Sequence, residues 1–214
     1  DNSTKVIILE GGGKGFSAGH NLKELKTFKK KSEYKKLFNL CSDLMLEIVE
    51  GRKPVIAKVH GSAFAAGCQL AASCDLALST NDAMFATPGV NIGLFCSTPM
   101  VAVSRKVSKK RMMKMLLTGD PITAQYAKEI GLINDHYTKS KLNYEVLSLA
   151  RKIASKSNLT IKIGKKAFYK QSEMSLRKAY KFTSKVMTEN MMAMDAKEGI
   201  SAFIEKRKPN WKNK

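Results

Sequence analysis

Twice in the first third of the chain a short strand-like run empties into a stretch of small residues that then begins a helix. This repeated device limits the fold more than any other feature. Residues 5–10 lead into Gly11-Gly12-Gly13-Lys14-Gly15-Phe16-Ser17-Ala18-Gly19, and residues 55–60 into Gly61-Ser62-Ala63-Phe64-Ala65-Ala66-Gly67. Small side chains let the backbone approach a ligand closely. The N–H groups of such a turn, and of the first turn of the following helix, have no intrahelical partners and can point at an anion or a polarised carbonyl. Two such donors aimed at one point form an oxyanion hole, each worth roughly 3–4 kcal/mol in a transition state. Taken singly, either stretch is equally an ordinary packing turn. The first is not a P-loop, because no Gly-Lys-Ser/Thr follows at the required spacing, and no G-x-G-x-x-G register fits a dinucleotide fingerprint.

The rest of the pattern predicts an α/β fold. Further strands are expected at residues 75–79, 84–86 and 132–135. Early helices are expected at 21–25, 32–49 and 68–72, with Leu37, Leu40, Leu44 and Ile48 sharing one apolar face of the second. From Ser97 onward helices dominate: 100–106, 110–117, 124–130, 142–155, 161–169, 176–194 and 198–206, separated by Gly, Asp and Pro punctuation. The expected division is an α/β core at residues 1–136, incomplete at its N-terminal end, and a helical region at 137–214. The chain begins abruptly before its first strand, so a preceding piece, with any targeting segment, is expected upstream. No apolar run approaches the ~18 residues of a membrane span.

Taken together, the motifs resemble the crotonase family of enoyl-CoA hydratases and isomerases. Phe16-Ser17-Ala18-Gly19-His20-Asn21-Leu22-Lys23-Glu24 is similar to the family segment F-x-A-G-A-D-[IL]-x-E. Val59-His60-Gly61 through Cys74-Asp75 is similar to N-G-x-x-x-G-G-G-x-E-L-x-x-x-C-D. Phe85-Ala86-Thr87-Pro88, Leu117-Thr118-Gly119-Asp120, Ala124-Gln125-Tyr126-Ala127, Gly131-Leu132-Ile133 and the helix around Glu198–Arg207 follow in family order, so the resemblance covers essentially the whole chain. It implies a ββα superhelix core whose first strands precede Lys5, and a helical C-terminal trimerisation region. The assembly it implies is a homotrimer or hexamer, in the mitochondrial matrix or the cytoplasm.

The resemblance also implies roles. The thioester carbonyl of an acyl-CoA would be held by the backbone N–H groups of His20 and Ala66. Carbonyls at Ala18 and Leu22 would hold the adenine. Phe203 and Lys206, three apart and hence expected on one helix face, would reach coenzyme A, generally on a neighbouring subunit. Coenzyme A enters as part of the substrate, with no separate cofactor and no metal. The two glutamates that family hydratases use fall on Gln69 and Gly89. An amide can orient water but cannot take its proton, and glycine can do neither. Losing a positioned acid or base lowers a rate by about 10²–10⁴. The expectation is therefore an acyl-CoA-binding protein with weak or non-standard catalysis in acyl-CoA metabolism. The alternative is a non-catalytic acyl-CoA-binding or regulatory protein.

Other groups could in principle replace the glutamates. His20, where the family has Ala, has a near-neutral pKa range. Cys96 follows Leu94 and Phe95 and, with Met100, suggests an apolar acyl pocket, but no basic partner lies nearby in sequence. Asp75 and Asp120 read as capping and turn residues, His60 as structural, and His136 as exposed just beyond the final strand. Cys41, Cys68, Cys74 and Cys96 form no C-x-x-C pair and read as reduced core thiols. The formal charge is +20, and only six of the 38 basic residues are Arg. A Lys-dominated excess fits solvated faces and the phosphates of coenzyme A. Base readout depends on Arg, so nucleic acid is not an expected partner.

Overall fold

In the computed structural model, which describes residues 3–214, the chain forms an α/β fold with a helix-rich C-terminal part, as the pattern predicts. It divides into two compact units. The larger comprises Ile8–Val49 and Val55–Ser148; the smaller comprises residues 3–7, Glu50–Pro54 and Leu149–Lys214.

In the larger unit, β1 (Ile7–Glu10), β2 (Val55–Val59), β4 (Leu76–Thr80) and β7 (Asp135–Tyr137) form one sheet in the order β1-β2-β4-β7. The β2–β4 and β4–β7 pairs are parallel, with Ala57 opposite Ala77 and Leu78 opposite Asp135. A second sheet holds β3 (Ser62–Phe64), β5 (Met84–Ala86) and β6 (Ile122–Thr123). Helices α1 (Leu22–Thr27), α2 (Lys31–Glu50), α3 (Ala66–Ser73), α4 (Ser97–Val103), α5 (Lys109–Thr118) and α6 (Ala124–Glu129) connect them. Strand β2 reads as a near-continuous apolar run because it is buried on both faces. Its Val55, Ala57 and Val59 join Phe85, Cys68, Val103 and Met115 in the core.

Three local expectations change. Residues 61–67 hold β3 rather than only a turn, because Ser62–Phe64 find a partner in β5, over twenty residues on. The final strand starts at Asp135 and not at Leu132. The N–H groups of Leu132 and Ile133 instead donate to Ala127 O and close the end of α6, after Gly131 at φ +81°. The apolar face of α2 is also turned by one residue. Met45 and Ile48 are buried, whereas Leu40 and Leu44 are 65% and 50% exposed.

In the smaller unit, α7 (Lys139–Ala154) delivers its last turn, and α8 (Asn158–Ser172), α9 (Leu176–Met191) and α10 (Met194–Ile204) follow. Two helices are found, as expected, but the break between them falls earlier than 194–198, at Met192-Ala193, where Ala193 adopts extended backbone before α10. Asp195 goes with this position. Its buried carboxylate accepts from the Ser157 hydroxyl and from the backbone N–H groups of Lys212 and Asn213, tying the chain's last residues to the start of α10. Trp211 adds an indole N–H to Ser155 O at 2.8 Å. Lys165 is buried, and its ammonium donates to Lys53 O at 2.9 Å.

The candidate thioester site

The two small-residue stretches lie side by side. Phe16 N donates to His60 O, Ser17 N to Ser62 O and Phe64 N to Ser17 O, at 2.8–3.0 Å, so the first loop runs along β3 like a further strand. The approach is close enough to demand glycine. A Cβ on Gly67, in the first turn of α3, would fall 2.1 Å from Ser17 O. A Cβ on Gly19, which sits at φ +95°, would fall 3.2 Å from Ala66 N. The small residues read as turns therefore lock one loop against the start of a helix.

At this junction Gly19, the residue before His20, lies against Ala66. Ala66 is the first residue of α3, so its N–H is one of the four that a helix leaves unpaired. Among the described residues neither His20 N–H nor Ala66 N–H has a hydrogen-bond acceptor. Ala65, just before it, sits at φ 50°, ψ −117°, a region that glycine enters freely and an L-residue only under strain. Its own N–H donates to Ala86 O at 2.9 Å, which pins the strained peptide in place. This is how the chain aims the Ala66 N–H: sequence supplies a small side chain, and pairing with β5 fixes the backbone.

Gln69 lies one turn further along α3 and is 3% exposed. Its backbone is fixed by Gln69 N–Ala65 O (3.1 Å) and Ser73 Oγ–Gln69 O (2.8 Å). Its carboxamide oxygen faces the Cys41 thiol of α2 at 4.0 Å. One turn earlier on α2, the Phe38 ring lies 5.5 Å from the His20 imidazole. Phe38 and Cys41 were missed in the sequence because nothing local in α2 signals a neighbour in the first loop or in α3. The three-residue spacing that places them on one face was the only available sign.

Gly89 lies in the 3₁₀ turn Pro88–Ile92 and is buried. A Cβ there would fall 2.7 Å from Leu94 O and 3.0 Å from Cys96 Sγ. Gly89 N–H donates to that sulfur at 3.3 Å. Burial pushes the Cys96 thiol above its ordinary range, and this bond opposes the shift. Cys68 is pushed up to about 12, by burial first and by Cys96 second. Thiols held so far above neutral pH are not thiolate nucleophiles. Leu94 and Phe95, read as pocket-lining, are half exposed. Cys41 is only partly buried, unlike the other three cysteines.

Of the remaining site residues, Ala18 lies in the first loop, and Leu22 is exposed at the start of α1, which Asn21 caps by accepting from Lys23 N. Phe203 and Lys206 belong to the smaller unit. They do not share a helix face. Helix α10 ends at Ile204, and Lys206 takes φ +55° beyond it. Lys206 N–Phe203 O and Arg207 N–Ala202 O form a Schellman closure, with Lys in the left-handed position glycine usually takes. Phe203 is 86% exposed. Among the described residues no group of three His, Cys, Asp or Glu could hold a metal ion, and no helix is long and apolar enough to cross a membrane.

The comparisons with known proteins agree with this architecture. The enoyl-CoA hydratase/isomerase family model matches residues 1–214. Human enoyl-CoA hydratase domain-containing protein 3, mitochondrial, is 47% identical over 210 residues, spanning 98% of this chain and 69% of that protein. The mitochondrial enoyl-CoA hydratase of Pongo abelii is 36% identical over 214 residues, spanning 100% of this chain and 73% of that protein. The crystal structure of the human domain-containing protein 3 superposes with a TM-score of 0.96 at 47% identity, covering 99% of this chain and 83% of that one. That of an enoyl-CoA hydratase from Mycobacterium smegmatis does so with a TM-score of 0.96 at 46% identity, covering 99% and 82%. The interlocked loops and parallel strands are thus those of the crotonase fold, and the chain belongs to the enoyl-CoA hydratase/isomerase family.

Proposed function

We propose that this protein binds an acyl-CoA thioester, with the thioester oxygen accepting from the backbone N–H groups of His20 and Ala66. The observation that carries the reading is the junction where Gly19 lies against Ala66 N and two donors stand unpaired. Both residues are partly open to solvent, so a ligand can reach the two donors. A polarised carbonyl is the acceptor this geometry suits. Ala18 and Leu22 carbonyls would hold the adenine, and Phe203 and Lys206 would meet coenzyme A from a neighbouring subunit. No separate cofactor is needed.

In this reading the positions of the family glutamates are Gln69 and Gly89, and catalysis is weak or of another kind than conventional hydration. The packing at Gly89 favours the second reading, a non-catalytic acyl-CoA-binding or regulatory protein. No side chain enters there while Leu94 O and Cys96 Sγ hold their places. Exposed apolar side chains on α9 and α10, among them Leu176, Met187, Met191 and Phe203, support a homotrimer or hexamer. The mitochondrial names of the relatives support a mitochondrial matrix location.

Calorimetry with acetyl-CoA and a crotonyl-CoA hydration assay test both readings. Binding with turnover far below that of ordinary hydratases is expected. Hydration at an ordinary hydratase rate, unchanged in Gln69→Ala, would overturn the catalytic part. No binding at millimolar ligand would overturn the whole.

A further inference from the structure

Helices α8 and α9 of the smaller unit bring a set of lysines to one side. On α8, Lys162, Lys166 and Lys170 recur every fourth residue, so they stand in line about 6 Å apart. On α9, Lys178, Phe182 and Lys185 share one face by the same periodicity. The Lys170 ammonium lies 5.1 Å from the centre of the Phe182 ring, so the two rows meet on one side of the helix pair. All five lysines are exposed. Lys165, out of register with the row, is buried instead and donates to Lys53 O.

These charges are not balanced locally. Helix α8 contains no Asp or Glu, and α9 contains only Glu189, 3.8 Å from Lys185. Lys162, Lys166 and Lys178 have no ion-pair partner among the described residues. Like charges four apart on a helix repel and weaken it, so the row is unfavourable until something anionic meets it. The other side of the pair differs. Leu176, Tyr180 and Met187 are exposed about half a turn of α9 away from the lysines, beside a groove lined by Thr160, Gly164 and Ser184. The oligomer proposed above uses that apolar side, which leaves the lysine row open.

The chemistry of the row narrows its partner. Nucleic acid is gripped by Arg forks and by aromatic rings free to stack on bases. The row has no Arg, and its one ring, Phe182, lies under Lys170. A bilayer with anionic headgroups needs neither, because it attracts each ammonium as a point charge. We propose that Lys162, Lys166, Lys170, Lys178 and Lys185 form an electrostatic docking surface for an anionic lipid bilayer, on which the protein adsorbs without inserting. This stands independently of the acyl-thioester reading.

The test is co-sedimentation with vesicles of phosphatidylcholine containing about one third phosphatidylglycerol, against phosphatidylcholine alone, at about 0.15 M salt. Binding to the first and not to the second is expected, with release at about 1 M salt. Each lysine contributes about fivefold. Lys162→Gln, Lys166→Gln and Lys170→Gln together therefore weaken binding by about a hundredfold, and Arg at the same three positions retains it. Circular dichroism checks that each variant is folded. Lys109→Gln, Lys110→Gln and Lys114→Gln on α5 remove the same charge from another exposed helix and leave binding nearly unchanged. No binding to the phosphatidylglycerol vesicles overturns the proposal. An equal loss in the α5 variant overturns it in favour of net charge alone, and undiminished binding by the α8 variant overturns it as well. Single-stranded RNA bound at the same salt and lost in the α8 variant, with no vesicle binding, assigns the row to nucleic acid and overturns it.

Discussion

Gly89 and Cys96 occupy one space: the Gly89 N–H donates to the Cys96 sulfur at 3.3 Å, and a Cβ on residue 89 would come to 3.0 Å from the same atom. The absence of a side chain at 89 is thus built into the packing, since Leu94 O lies closer still at 2.7 Å. Gly89→Glu is expected to destabilise by about 1–3 kcal/mol, the usual range for overpacking a core, and not to restore hydration. Urea unfolding and a crotonyl-CoA assay check both. Gly89→Glu with Cys96→Gly should recover part of the lost stability. A Gly89→Glu protein as stable as the original would refute the crowding.

Ala65 stores strain at the entry to α3. With φ 50° and ψ −117°, it holds a conformation that costs an L-residue about 1–3 kcal/mol. Ala65→Gly should raise stability by about 1 kcal/mol, part of the relief being offset by the greater freedom of glycine in the unfolded chain. Ala65→Val should lower it. A thermal or urea midpoint that falls in Ala65→Gly would show that the strain is not released.

The same logic applies to Lys206, at φ +55° in the closure of α10. A left-handed L-residue costs about 1–2 kcal/mol there, so Lys206→Gly is expected to stabilise the smaller unit by about 1 kcal/mol. If Lys206 meets a coenzyme A phosphate, the same change weakens acetyl-CoA binding. The two readouts move in opposite directions.

Glu198 and Arg207 make a two-pronged ion pair at 2.6 and 3.0 Å, and the Asn210 N–H adds a bond at 2.7 Å. The Arg207 guanidinium, followed by that N–H, holds the Glu198 carboxyl down at about 2, against an ordinary 4.5. A lowered folded-state pKa gives stability that is present above 4.5 and lost as pH falls through about 2. The pair is open to solvent, so the contribution is small and salt-sensitive. Glu198→Gln should lower the urea midpoint at pH 6, and the difference should close as pH approaches 2. A difference independent of pH would assign the effect to packing.

What the sequence determined by itself was local and compositional. The strands at β2 and β5, most helices, and the two glycine-rich turns follow from apolar period and small-residue runs. The family resemblance followed from motifs kept in order along the chain. Identity at Gln69 and Gly89 was also plain, because it needs no coordinates.

Tertiary structure alone decided the rest, since each such feature joins residues far apart in sequence. The short β3 exists because Phe64 and its neighbours find Ser17 and β5. The aim of Ala66 N–H depends on Ala65 being pinned by Ala86, twenty-one residues on. The position of the break between α9 and α10, earlier than the pattern placed it, goes with a buried Asp195 that captures the chain's end. The inward face of α2, which sets Cys41 against Gln69, keeps Ile48 but replaces Leu40 and Leu44 with Cys41 and Met45, because a helix half open to solvent is oriented by what it meets as well as by its pattern.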